Sequence, residues 1–227
     1  AVEVDPRLEG AYRRLHGRLT ARNDNARLVA LVDARARAID DEAQLVRLHY
    51  ELARLHRGLA DRDAALVAIE NVLLLDPGHA GAIAMSAEIH VSMGNFQKAV
   101  ASLRGLAEAD VPVAQKRVAR LGAADFLEKK LGDPRGALKE FEAVDALGLA
   151  DQSLLERMAR IAEEADLFPE AARILETASQ RATKPAEVAD YAVRAAHIAW
   201  RYLSDEGRAK TLFRRALEHR PDDERAA

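Results

Sequence analysis

Apolar residues recur along this chain at intervals of three and four. Leu8, Tyr12, Leu15 and Leu19 form one stripe, Leu45, Leu48, Leu52, Leu55 and Leu59 a second, and Ala65, Ile69 and Val72 a third. That period belongs to amphipathic helices. Between the stripes lie breakers: Asn23-Asp24-Asn25, Asp76-Pro77-Gly78, Val111-Pro112, Gly132-Asp133-Pro134, Asp166-Leu167-Phe168-Pro169, Ser204-Asp205 and Pro221-Asp222-Asp223. Residues that favour caps and turns, or that cannot continue a helix, sit at each of these places. The pattern predicts twelve helices.

The same pattern repeats. Gly94-Asn95-Phe96-Gln97-Lys98-Ala99, followed by Leu103 and Leu106, reads as a tight turn into a second helix, with Ala99 where two backbones come closest. Ala65, Ala137, Ala171 and Ala209 fall in equivalent places, and successive markers are 34, 38, 34 and 38 residues apart. Six helix-turn-helix units follow, over residues 7–40, 41–78, 79–112, 113–151, 152–184 and 185–223. The four extra residues amount to about one helical turn and lie before the first helix of the second, fourth and sixth units, so long and short first helices should alternate. In the first unit Arg27 stands where the marker is expected, with Ala26 beside it. Val4-Asp5-Pro6 reads as the end of a preceding unit, because Asp76-Pro77 closes the second one.

A two-helix unit of about 34 residues with Pro near its end resembles the tetratricopeptide repeat. Gly94, Phe96, Ala99, Leu103 and Leu106 match the family's positions in order, as do Ala209, Phe213, Ala216 and Pro221 in the sixth unit. So do Phe168, Ala171, Leu175 and Ala178 in the fifth, and Gly132, Ala137 and Phe141 in the fourth. The first-helix signature departs from the family: His49, Leu52-Ala53 and His56 replace its Trp, Leu-Gly and Tyr, while Asp125 and His197 occupy positions where a small residue is usual. The resemblance implies an all-α fold, a right-handed α-α superhelix, or solenoid, forming a single repeat domain that is part of a longer array.

It also implies a concave wall lined by the first helix of each unit. Its second, fifth, ninth and twelfth positions place Arg47, Tyr50, Arg54, Arg57, Glu88, Phe126, Lys129, Arg160, Tyr191, Arg194 and Arg201 there, beside Glu156, Glu163 and small or apolar residues. Seven of the wall residues are basic and three acidic, in a chain of net charge −3. Arg favours bidentate capture of carboxylates, and Tyr and Phe are anchors enriched at interaction hot spots. The implied function is a non-catalytic scaffold or adaptor whose groove binds a peptide or helix of acidic character. The wall carries no Asn, so the Lys and Asn clamp that some family members use for chaperone tails is not expected. The alternative is a targeting or regulatory module of a larger enzyme or signalling protein. An RNA-reading helical repeat is a further one, disfavoured by the mild negative charge.

Composition narrows the classes further. The 34 basic and 37 acidic side chains give no global attraction to nucleic acid or anionic membranes. No apolar run reaches the roughly 18 residues of a membrane span, and no cysteine is present to form disulfides or thiolate sites. A cytoplasmic protein is expected, or a periplasmic one if a signal was removed. No phosphate-binding, dinucleotide or nucleophile-elbow motif occurs. His49, His56 and His90 lack a partner at zinc-binding spacing, so they read as packing histidines; no cofactor, metal or catalytic residue is expected. The ends of the array should expose apolar surface, at Leu212, Ala216 and the Trp200 helix, and permit end-to-end self-association.

Overall fold

The computed structural model of the protein describes residues 8–225. Among them the chain forms helices and no strand, in two compact units, Ala1–Ala119 and Arg120–Ala227. Unit 1 holds α1 (Glu9–Ala21), α2 (Asn25–Ala38), α3 (Glu42–Gly58), α4 (Arg62–Leu75), α5 (Ala80–Ser92) and α6 (Phe96–Glu108). Helix α7 (Val113–Phe126) starts in unit 1, continues into unit 2 and ends in a π-helical turn, Leu127–Leu131. Unit 2 continues with α8 (Pro134–Ala146), α9 (Gln152–Glu164), α10 (Phe168–Arg181), α11 (Pro185–Arg201) and α12 (Glu206–His219). Within each unit neighbours in sequence are neighbours in space: α2 packs on α3 and α4 on α5, α8 on α9 and α10 on α11.

The alternation of first-helix length is present. Helices α1, α5 and α9 have 13 residues, α3 and α11 have 17, and α7 has 14 followed by the five-residue π turn.

Each hairpin turns through one left-handed residue: Asn23, Ala60, Gly94, Gly132, Asp166 and Ser204, with φ between 52° and 73°. The backbone N–H next past this residue reaches back to a carbonyl of the last turn, as from Asp61 to His56 at 2.9 Å and from Asn95 to His90 at 2.9 Å, which satisfies carbonyls the helix leaves unpaired. The second helices then start on side-chain caps: Asp24, Asp61, Asp133 and Asp205 each accept from a backbone N–H three residues on. Pro134 occupies the first turn of α8, where its missing N–H has no helical partner to lose.

Five residues after each left-handed turn from the second hairpin onward comes a marker alanine. Ala65, Ala99, Ala137, Ala171 and Ala209 are all at most 2% exposed, as close backbone approach requires. In the first hairpin the equivalent residue is Leu28, whose N–H bonds to the Asp24 carbonyl at 3.0 Å as that of Ala65 bonds to Asp61. Ala26 and Arg27 are exposed. The marker is therefore displaced by one residue and is a leucine, so that counting alanines could not find it.

Phe141, Leu155, Met158, Ile174, Leu175 and Val193 are fully buried in unit 2, and Val32, Ile69 and Val72 in unit 1. The expected bare C-terminal face is only partly so. Leu212 and Ala216 are buried, Ala216 in a cluster with Ala189, Ala192 and Val193, because α11 and α12 close on each other. Trp200 is 59% exposed. The reading of Val4-Asp5-Pro6 lies outside the described residues.

Candidate functional site on the first helices

In unit 1, α3 carries Arg47, Tyr50, Arg54 and Arg57. Tyr50 is a wedge between first helices: its ring lies 4.6 Å from that of His79, and a Cβ on Gly81 would fall 2.5 Å from its hydroxyl. Gly81 is thus what lets α5 start so close to α3. Arg57 crosses to Glu88 of α5 at 2.6 Å. Arg47 is exposed and, among the described residues, donates only to its own helix, at the Ala43 carbonyl, 3.2 Å away. Arg54 is exposed and makes no ion pair among the described residues.

Helix α1 adds a polar cluster that the sequence reading omitted because the register of the first hairpin was hidden. Glu9 pairs with Arg13 at 2.5 Å and with the buried Arg35 at 2.6 Å, and the Arg35 guanidinium lies 5.4 Å from the Tyr12 ring centre. His16 meets Glu51 of α3 at 2.5 Å. Burial, followed by the charge of Glu51, pushes the Tyr12 hydroxyl up to about 12.

In unit 2 three of the four predicted wall cations, Lys129, Arg160 and Arg194, are tied down. Lys129 pairs with Asp125 at 3.4 Å, and Arg160 with Glu164 at 3.2 Å and Glu128 at 3.7 Å. Arg194 spans Glu156 at 2.8 Å and Glu163 at 2.7 Å, joining α11 to two successive acids on one side of α9. Burial acts to lower its pKa, but hydrogen bonds to Glu163 and Glu156 outweigh that and raise it. Tyr191 is buried, with Arg194 5.9 Å from its ring centre. Phe126 is half-buried. Arg201 is exposed and lies 5.9 Å from the ring of Tyr202, which stacks on Phe168 at 3.7 Å.

Arg157 was not among the predicted residues, yet it organises this face. It bonds Asp125 at 2.5 Å, bonds Glu128, and lies 4.8 Å from the Phe141 ring centre. Burial acts to raise the Asp125 pKa, while hydrogen bonding and the charge of Arg157, with Lys129, bring it below the usual carboxylate range. The signal was present in sequence: Asp125 stands where a small residue is expected, and an acid there needs a cation from the next hairpin. Asp125, Glu128 and Glu164 also reduce the basic excess counted on wall positions alone.

The three histidines are packing residues. The Nδ1 atoms of His49, His56 and His90 are buried without a hydrogen-bond partner. Burial lowers the pKa of His49 and of His90, and Lys98 lowers that of His90 further. No group of three or more metal-ligating side chains occurs among the described residues. No helix among them is long and apolar enough to cross a membrane.

The hairpins, their alternating lengths and the buried alanines at each crossing define a helical-repeat protein. The tetratricopeptide repeat profile matches residues 56–124. None of the curated proteins matches it. Among solved structures it is similar to a tetratricopeptide repeat protein from Parabacteroides merdae, at 17% identity over 98% of this chain and 84% of that one, with a TM-score of 0.46. It is similar also to Pseudomonas aeruginosa pilF, at 14% identity over 96% and 94% with a TM-score of 0.42. A third is YrrB, described as a TPR protein with an unusual peptide-binding site, at 17% over 79% and 88% with a TM-score of 0.40.

Proposed function

We propose that this chain is a non-catalytic binding scaffold whose acidic peptide or helix partner docks on α3 of unit 1. Tetratricopeptide-repeat proteins generally mediate protein–protein interaction. The observation that carries the finer reading is that Arg47 and Arg54 are exposed on one helix without an acidic partner among the described residues, flanking Tyr50. Arg160 and Arg194 on the first helices of unit 2 are by contrast held by Glu128, Glu156, Glu163 and Glu164. A cation already bridged to carboxylates must give them up before it can bind another, whereas an unpaired surface arginine needs only to shed water. Arg57, bridged to Glu88, orders the neighbouring wall rather than reaching outward.

The test is capture from native lysate with wild type and with Arg47→Glu/Arg54→Glu, after circular dichroism has shown equal helicity. The variant should lose an acidic protein that wild type retains, and the capture should weaken as salt rises. Recovery of the same proteins in equal amounts would overturn the assignment to α3.

A further inference from the structure

Within unit 2 the groove between α10 and α12 holds a pocket of about 530 Å³, in the size range of small-molecule sites. Both of its walls lie among the described residues. Its charged lining is Arg208, Arg214 and Arg215 against Glu176 and Glu218. Arg208 takes Glu176 at 2.5 Å. Arg214, Arg215 and Glu218 make no ion pair among the described residues, so the charge left over is basic.

The repeat shows what an arginine at this crossing meets elsewhere. Asp145 and Ser179 stand at the same place in α8 and α10, each eight residues past its marker alanine, Ala137 and Ala171. Arg181 crosses from α10 to Asp145 and bonds both carboxylate oxygens, the second at 3.1 Å. Arg215 crosses from α12 to the equivalent place on α10 and meets a hydroxyl instead: its Nε donates to Ser179 Oγ at 3.1 Å and its Nη2 to the Ser179 carbonyl at 3.2 Å. Ser179 Oγ in turn donates to the Val188 carbonyl at 3.0 Å. These bonds fix the guanidinium in place but do not neutralise it. A half-buried guanidinium has given up water without gaining an anion, and its planar fork matches a carboxylate. The exposed Gln180 amide on the same wall is a further donor. We infer that this pocket binds a small carboxylate-bearing molecule, whose carboxylate is taken by Arg215 and Arg214 as that of Asp145 is taken by Arg181. The site does not rest on the reading given to α3.

The probe is succinate at constant ionic strength, followed by calorimetry and by the backbone amide resonances of isotope-labelled protein. Succinate should shift residues 176–180 and 207–218 saturably, and its neutral diamide should not. Arg215→Gln should weaken succinate about tenfold or more, since a charge-assisted hydrogen bond is lost. Arg214→Gln, at an exposed side chain with no ion pair to lose, should also weaken it and leaves the fold undisturbed. Ser179→Asp, which sets an internal carboxylate before Arg215, should close the site to succinate. Inorganic phosphate should bind more weakly than succinate. Absence of binding, equal binding of the diamide, shifts confined to residues outside the two walls, or undiminished binding by Arg215→Gln or Arg214→Gln would each overturn the proposal. Tighter binding of phosphate would overturn the choice of a carboxylate. Loss of binding with Arg47→Glu/Arg54→Glu alone would place the anion on α3 and overturn it too.

Discussion

Units 1 and 2 repeat one hairpin but use their charges differently. In unit 2 nearly every helix is tied to the one beside it or one hairpin away. Arg157 and Arg194 join the first helices; Arg135–Glu170, Arg173–Glu142, Arg181–Asp145 and Arg208–Glu176 join the second ones. Unit 1 has its own crossings in Arg35–Glu9, His16–Glu51 and Arg57–Glu88, yet it leaves Arg18, Arg22, Arg47 and Arg54 without an ion pair among the described residues and buries three imidazole nitrogens without a hydrogen bond among them. The lesson is that charge count does not locate a binding face. Arginines occur at wall positions in both units, but only a cation with no internal carboxylate is free to recognise one outside.

The largest expected effect comes from breaking a buried pair in unit 2. Arg120 holds Glu140 at 2.7 Å, and the Glu140 side chain is 4% exposed. Arg120→Ala should cost about 3 kcal/mol by taking the Arg120 cation away from that buried carboxylate. Arg54→Ala in unit 1 should stay within about 0.5 kcal/mol. Thermal or urea melts of the two variants check the contrast, and equal losses would erase the distinction between the units.

A second difference should appear with pH. His49 and His90 of unit 1 have pKa values lowered in the folded state from an ordinary 6.5, so the unfolded chain takes up protons first as pH falls. Their contribution to stability is whole above pH 6.5 and is lost progressively below it, until the lowered folded-state values are passed. Asp33 opposes this at His49 and Glu70 at His90, while Lys98 reinforces it at His90. Amide hydrogen exchange between pH 7 and 5 should show α3 and α5 losing protection, and His90→Leu should flatten the loss at α5. An unchanged pH response in that variant would remove His90 from the account.

The smallest effects concern the turns. Ala60 holds φ at 59°, a region that costs a residue with a Cβ roughly 1–2 kcal/mol. Ala60→Gly in unit 1 should gain a few tenths to about 1 kcal/mol after the added unfolded-state freedom of glycine is set against the relief. Gly132→Ala in unit 2, at φ 62° with open space around the new methyl, should lose about 1 kcal/mol for the same reason. Melts read both signs, and two changes of the same sign would contradict the shared turn geometry.

The helix count, the hairpin turns, the closely packed alanines and the alternation of first-helix length were all legible in the sequence. Each follows from interactions within one hairpin: apolar spacing, turn chemistry, and a four-residue excess that amounts to about one more turn. The wall positions were legible as positions on α3, α9 and α11. Their availability was not, because the partners of Arg57, Arg157 and Arg194 lie some 30 residues away on other helices, and neither helical period nor charge count says which acid faces which arginine. The displaced marker at Leu28 was hidden for a related reason, since a leucine reveals its place only through the backbone bond to Asp24. Local periodicity determined the elements of this protein, whereas the stacking of one hairpin on the next decided which charges are held inside it and which remain to bind.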